Sequence, residues 1–157
     1  MDNAIFQKIC LLLSSHDIQF RTIEHPPTFT SEESAAARKE PLEIGAKALL
    51  IRIGDEFKLM VIPADCRLDS AAVKSYFSVK KSRFASPEEL LKQTGLVPGS
   101  VPPFGSPILP FPIFADILVG QRSEKIAFNA GSLTHSIIMR ADDWKKVASP
   151  EIIRCAL

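Results

Sequence analysis

The sequence predicts an α+β domain built on a mixed sheet, and three observations carry this. Segments of helical period and of strand period interleave without the regular alternation of a doubly wound parallel sheet. Two apolar, β-rich runs, 46–53 and 57–63, are split by Gly54-Asp55-Glu56, a hairpin signal and therefore a sign of antiparallel pairing. The 157 residues suit one domain with its own core, since domains run to roughly 100–200 residues. Residues 1–157 are expected to form a single unit.

The elements follow in order. Ile5, Phe6, Ile9, Leu12 and Leu13 recur at helical spacing, so 4–15 is expected to be an amphipathic helix. Ile18, Phe20 and Thr22 alternate with polar residues through Glu24, as in a strand. His25-Pro26-Pro27 must be extended, because each proline biases its predecessor away from the α region. Thr30 and Glu33 form a capping box for an Ala-rich helix that stops before Pro41. After the hairpin, Asp69 caps a helix through Phe77, and 79–84 is expected as a strand. Ser86-Pro87-Glu88-Glu89 opens a helix that ends at Gly95. Residues 113–119, 125–129 and 136–140 read as strands and 142–148 as a helix, with Asp142-Asp143 as its N-cap.

Composition excludes several classes. Hydrophobic residues make up 46% and charged residues 24%, the balance of a globular chain rather than a disordered one. The net charge of +1 argues against a partner held by global charge alone. No apolar run approaches the roughly 18 residues of a membrane span. The start, Met1-Asp2-Asn3, has no signal-peptide pattern. Cys10, Cys66 and Cys155 are widely separated, as in reduced thiols, and a cytoplasmic location is expected.

Six of the twelve prolines lie between Pro98 and Pro112. Such a stretch is neither helix nor central strand, so it is expected to be a stiff loop. Gly99 and Gly105 bracket its first part. It is either a place to present backbone N–H groups to a ligand at small entropic cost or a plain crossover.

The common catalytic patterns GxSxG, HExxH, Walker A and GxGxxG are absent. His16, His25 and His135 are not at metal-ligand spacing. Lys47 stands out, inside Gly45-Ala46-Lys47-Ala48-Leu49-Leu50-Ile51, a strand that reads as buried on both faces. There it either meets an anion or an ester oxygen in a cleft, or snorkels at the strand edge. From Cys66 to Ala85, five basic residues (Arg67, Lys74, Lys80, Lys81 and Arg83) face one acidic residue, a net charge of +4. This patch is either a footing for a nucleic-acid backbone or a solvated face.

These pieces together resemble the YbaK/prolyl-tRNA-synthetase-associated domain family of trans-acting aminoacyl-tRNA deacylases. The matching residues are Glu24-His25-Pro26-Pro27-Thr28-Phe29-Thr30, Gly45-Ala46-Lys47-Ala48-Leu49-Leu50, Val61-Ile62-Pro63-Ala64-Asp65 with Leu68-Asp69, and Ala85-Ser86-Pro87-Glu88-Glu89-Leu90. Two more follow: Gly99-Ser100-Val101-Pro102-Pro103-Phe104-Gly105, which fits the family's GxxxP loop, and Phe128-Asn129-Ala130-Gly131-Ser132. They occur in the family's order along nearly the whole chain.

The resemblance implies a mixed, largely antiparallel, β-barrel-like sheet ringed by helices. It implies hydrolysis of the ester between a wrong amino acid and the tRNA 3′ adenosine, with tRNA for proline or a small amino acid as the expected class. No metal or other cofactor is implied. Lys47 would contact the substrate near the scissile ester, with Gly99 and Gly105 framing a loop whose N–H groups hold the carbonyl. His25, Thr30, Pro103, Asn129, Gly131 and Ser132 would contact substrate. Thr134 and Ser136, sharing one strand face, would shape a small polar pocket, while His135 on the other face supports the core. Lys74, Lys80, Lys81 and Arg83 would meet the tRNA backbone, and a prolyl-tRNA synthetase is an implied partner. The chain departs from the family at two places: one branch has aspartate where this chain has Ser136, another has histidine where it has Asn129. Amino-acid specificity is therefore not carried over from either branch. A non-catalytic module that binds aminoacyl-tRNA or a synthetase, and a small-ester hydrolase, are the competing readings.

Overall fold

The computed structural model describes residues 3–157. The elements run α1 (Ala4–Ser15), β1 (Phe20–Glu24), α2 (Ser31–Arg38), a 3-10 turn (Leu42–Ile44), β2 (Ala46–Ile53), β3 (Glu56–Pro63), α3 (Ser70–Phe77), β4 (Ser82–Phe84) and α4 (Pro87–Thr94). The Pro-rich segment then leads to β5 (Ile113–Asp116), β6 (Lys125–Asn129), β7 (His135–Arg140), α5 (Ala141–Ala148) and β8 (Glu151–Ile153). Among the described residues no helix is long and apolar enough to cross a membrane.

The strands form two sheets. One has the order β1-β7-β6 and is antiparallel throughout. The other has the order β4-β2-β3-β5-β8, antiparallel from β4 to β3 and parallel from β3 to β8. The α+β class with mixed pairing is as the sequence predicts, with the strands divided between two open sheets linked by a bridge between Gly45 and Ala127. Central strand β3 is buried on both faces. Leu59 and Val61 join Phe104, Phe128 and Trp144 in the main core, while Met60 and Ile62 pack with Ile51, Val73 and Phe114 in a second cluster. The two-residue period of the strand assigns its side chains alternately to these cores.

Several boundaries are set by local chemistry. Thr30 and Ser86 both form capping boxes, with Glu33 and Glu89 as their N3 partners. Asp69 accepts from Ala72 N–H at the start of α3. The strand expected over 113–119 stops at Asp116, whose buried carboxylate accepts from the N–H groups of Leu118, Cys155 and Ala156. Those bonds turn the chain and tether its C-terminal segment. The strand expected over 79–84 is confined to 82–84, its pairing with β2 beginning at Ser82. Strand β8 was not predicted, since three residues after Pro150 are too few to show a period. Helix α5 begins at Ala141 with Arg140 as N-cap and no side-chain capping bond. The N-cap expected at Asp142-Asp143 is therefore corrected: both lie in the first turn, where they complement the helix dipole instead.

The Pro-rich segment is irregular, as proline requires, and is pinned to the core. Trp144, fully buried, donates its indole N–H to Pro103 C=O at 2.8 Å. Gly99 has φ +89°, a conformation that favours glycine, and it turns the segment toward the end of β6.

Candidate active site

The site begins with an uncovered strand edge. Strand β2 pairs with β3 along its whole length but with β4 only from Ile51 to Ile53. Beyond Ala85, which donates to Leu50 C=O, the chain leaves the sheet to start α4. Backbone groups of an antiparallel strand alternate sides with every residue. The N–H and C=O of Ala48 therefore point the same way as those of Leu50, past the end of β4. This opening explains why Lys47, Ala48 and Leu49 are half-buried rather than enclosed on both faces as the sequence suggests.

A cavity of about 210 Å³ lies against that edge. Phe29, Thr30, Ser31, Ser34 and Arg38 line it from the approach to α2 and the helix itself, and Gly45 through Leu49 from β2. Ala64, Gly99, Val101 and Asn129 complete the wall. Gly45 is required here, because a Cβ would come within 2.7 Å of the Ala64 Cβ. Two cationic side chains, Lys47 and Arg38, line the cavity and no carboxylate does.

The floor is a buried polar network. Arg38 donates from Nε to Ser136 Oγ (3.0 Å) and from Nη2 to Asn129 Oδ1 (2.9 Å). Asn129 and Ser136 are register partners on β6 and β7. Asn129 Nδ2 donates to Gly99 C=O at 2.7 Å, fastening the Pro-rich segment to the strand end. His25 Nδ1 lies 2.9 Å from Pro26 C=O, which only accepts, so Nδ1 carries a proton. His25 Nε2 lies 2.8 Å from Ser136 Oγ, whose hydroxyl donates to Asn129 Oδ1 at 3.1 Å. Thr28 and Ser34 hydroxyls share a bond of 2.8 Å beside it. Arg38 is buried without a carboxylate partner, and burial lowers its guanidinium to about 10. It remains charged at neutral pH.

The loop 99–105 offers few free donors. Pro102 and Pro103 have no N–H. Ser100 donates to Val97 C=O and Phe104 to Pro102 C=O. Among the described residues, the N–H groups of Gly99 and Val101 have no protein acceptor, and both residues line the cavity. Gly105 does not: it packs against Phe111 and Ile113, and Pro103 is held by Trp144.

The other sequence candidates sort by position. Lys47, Thr30, Gly99 and Asn129 gather at the cavity. His25 and Ser136 lie beneath its floor, Ser136 with no exposed surface. Gly131 lies against Ile5 and Phe6 of α1, away from the cavity. Ser132 and Thr134 bond with His135 Nδ1 (3.3 and 2.8 Å), and the His135 ring packs on Phe6. Lys74, Lys80, Lys81 and Arg83 line a separate groove with Arg52 and Asp55. Among the described residues no three His, Cys, Asp or Glu side chains gather as a metal-ligand set.

Among the lining residues that sequence reasoning missed, Arg38 and Phe29 bear most on the chemistry. Arg38 reads as a last-turn cation favoured by the helix dipole, and its partners lie 91 and 98 positions away. Phe29 carries a usable signal: a large aromatic just ahead of a polar N-cap, with nothing apolar beside it. It is 69% exposed at the cavity mouth.

The model of the aminoacyl-tRNA editing domain family matches residues 25–147, which include every lining residue, and the chain belongs to that family. It is 33% identical over 152 residues to the Multifunctional Ser/Thr-tRNA deacylase ProXp-y of Escherichia coli (strain K12), covering 94% of this chain and 90% of that protein. It is 28% identical over 153 residues to the Prolyl-tRNA editing protein ProX of Acetoanaerobium sticklandii, covering 94% and 92%. A crystal structure described as a candidate trans-editing enzyme for prolyl tRNA synthetase superposes with a TM-score of 0.83 at 19% identity, over 100% of this chain and 99% of that one. At that identity the likeness is one of fold.

Proposed function

We propose that the chain hydrolyses the ester of mischarged aminoacyl-tRNA in trans, with a small, hydroxyl-bearing amino acid as the group removed. One observation carries the reading: Lys47, Gly99 and Val101 line the same small cavity, and the N–H groups of Gly99 and Val101 have no protein acceptor among the described residues. An aminoacyl ester is already activated, so a positioned water and stabilisation of the oxyanion suffice without a protein nucleophile. The water adds to the ester carbonyl carbon. The N–H groups of Gly99 and Val101 bind the carbonyl oxygen as it gains charge, and Lys47 offsets that charge from the strand edge. The C–O bond to the ribose then breaks, the ribose oxygen takes the proton given up by the attacking water, and the free amino acid leaves. None of these steps calls on a metal.

The exposed ring of Phe29 at the mouth is a stacking surface for the terminal adenine. The groove of Arg52, Lys74, Lys80, Lys81 and Arg83 takes the tRNA backbone. The size of the cavity and the name of the Escherichia coli relative support a seryl or threonyl group.

The test is a deacylation screen over mischarged tRNAs in the presence of EDTA, with Lys47→Ala as control. Wild type should release at least one amino acid. The variant should lose about 100- to 1,000-fold in kcat, as when one oxyanion donor is removed, with its circular dichroism unchanged. Full activity in Lys47→Ala would sink the role given to Lys47. A panel that binds but stays intact, with or without an added prolyl-tRNA synthetase, would favour the binding module.

A further inference from the structure

The Arg38 guanidinium has three nitrogen donors, and the protein uses two of them. Nε is held by Ser136 and Nη2 by Asn129. Nη1 has no protein partner among the described residues. It lies on the side of Gly45, 3.8 Å from where a Cβ on that residue would be. The cavity wall holds two cations and no carboxylate, so no anion of the protein takes this donor, and Nη1 is open to an acceptor oxygen on a ligand.

Depth decides which part of the ligand reaches it. Phe29 marks the mouth at 69% exposure, whereas Arg38 is 7% exposed and its anchor Ser136 0%. A tRNA does not enter a cavity of about 210 Å³. On the deacylase reading above, the adenosine stays at the mouth, the ester lies level with Lys47, and the amino-acid side chain goes deepest. That side chain meets Arg38.

We infer that Arg38 is the specificity-determining residue of this site, its Nη1 donating to a side-chain hydroxyl oxygen of a seryl or threonyl group. This rests on the deacylase reading above and adds the group that selects the substrate. The two anchored nitrogens explain how a long side chain becomes selective. With Nε and Nη2 fixed, the guanidinium plane is set before the substrate arrives, so little rotamer entropy remains to be lost. A substrate that lacks the oxygen leaves the buried donor unpaired, and sites of this kind reject such analogues strongly. Lys47, near the ester, meets every aminoacyl group alike and provides no such selection.

The test compares seryl-, threonyl-, alanyl- and aspartyl-tRNA in wild type and in Arg38→Met. In wild type, kcat/KM for seryl-tRNA should exceed that for alanyl-tRNA, and the variant should lower that ratio at least about tenfold. A ratio unmoved by the substitution, with both substrates falling together, would assign Arg38 to the ester and overturn the inference. Faster turnover of aspartyl- than seryl-tRNA in wild type would also overturn it, replacing the hydroxyl by a carboxylate. A second measurement needs no variant: ¹⁵N-labelled wild type titrated with the non-hydrolysable amides 3′-serylamino- and 3′-alanylamino-3′-deoxyadenosine. The Arg38 side-chain signals should shift with the seryl compound and stay in place with the alanyl one. Equal shifts would refute the contact even if Arg38→Met does not fold. Wild type that cleaves none of the esters would instead sink the deacylase reading itself.

Discussion

Arg38 Nε donates to Ser136 Oγ at 3.0 Å, and through that bond the last turn of α2 is locked to β7 beneath the cavity. Ser136 also meets His25 and Asn129, so one small hydroxyl joins three segments of the chain. Ser136→Ala would leave a buried cationic donor without its acceptor. The expected loss is about 1–3 kcal/mol of stability, read from urea denaturation at unchanged m value. A loss within error of zero would show that the network rearranges around the missing oxygen.

Phe29 is exposed at the cavity mouth and its truncation should do little to the fold. Stacking of a base on an aromatic ring contributes about 1–3 kcal/mol. Phe29→Ala should therefore raise KM for aminoacyl-tRNA about 5- to 150-fold, with a smaller change in kcat, and Phe29→Tyr should restore most of it. If KM stays constant while kcat falls, the ring acts on the ester and not on the adenosine.

The basic groove should reveal itself by salt. Each phosphate contact contributes about 0.7–0.9 to the slope of log affinity against log salt. Lys80→Ala and Lys81→Ala, measured by binding of uncharged tRNA across salt concentrations, should each reduce the slope by about that amount. Arg83→Ala should reduce it less, because Arg83 already pairs with Glu89 at 2.7 Å. Hydrolysis of a short aminoacyl-adenosine ester should be unaffected by all three. Slopes equal to wild type would remove the groove from the tRNA path.

The same Arg83–Glu89 pair predicts a pH effect. The two hydrogen bonds from Arg83, then the Ser86 N–H, hold the Glu89 carboxyl down to about 2, against an ordinary value of 4.5. A carboxyl held low in the folded state contributes stability that is fully present above its unfolded value. That contribution is lost as pH falls through the folded value. The window is therefore between about 4.5 and about 2. Side-chain NMR titration should place Glu89 near the lower value, and Arg83→Ala should move it up toward the ordinary one. A wild-type midpoint near 4.5 would remove the pair as a stabiliser of the α4 start.

Much of this molecule is legible in the chain itself, wherever the determining interaction is local. Thr30 with Glu33 and Ser86 with Glu89 are capping boxes because the partners stand three residues apart. The hairpin at Gly54 and the irregular course of 98–112 follow from what glycine and proline do to the backbone. The motif order along the chain led to the editing family, and Lys47, Gly99, Thr30 and Asn129 do meet at one cavity. Tertiary structure alone decided the rest. Lys47 is half-exposed because β4 ends too soon to cover the β2 edge, a matter of register between strands. Ser136 is floor rather than wall because three segments close over it, and Arg38 enters the site because its partners come from β6 and β7. A helix-terminal arginine is worth little as a signal until the strands that surround it are in place, since burial and partner choice are properties of the assembled fold.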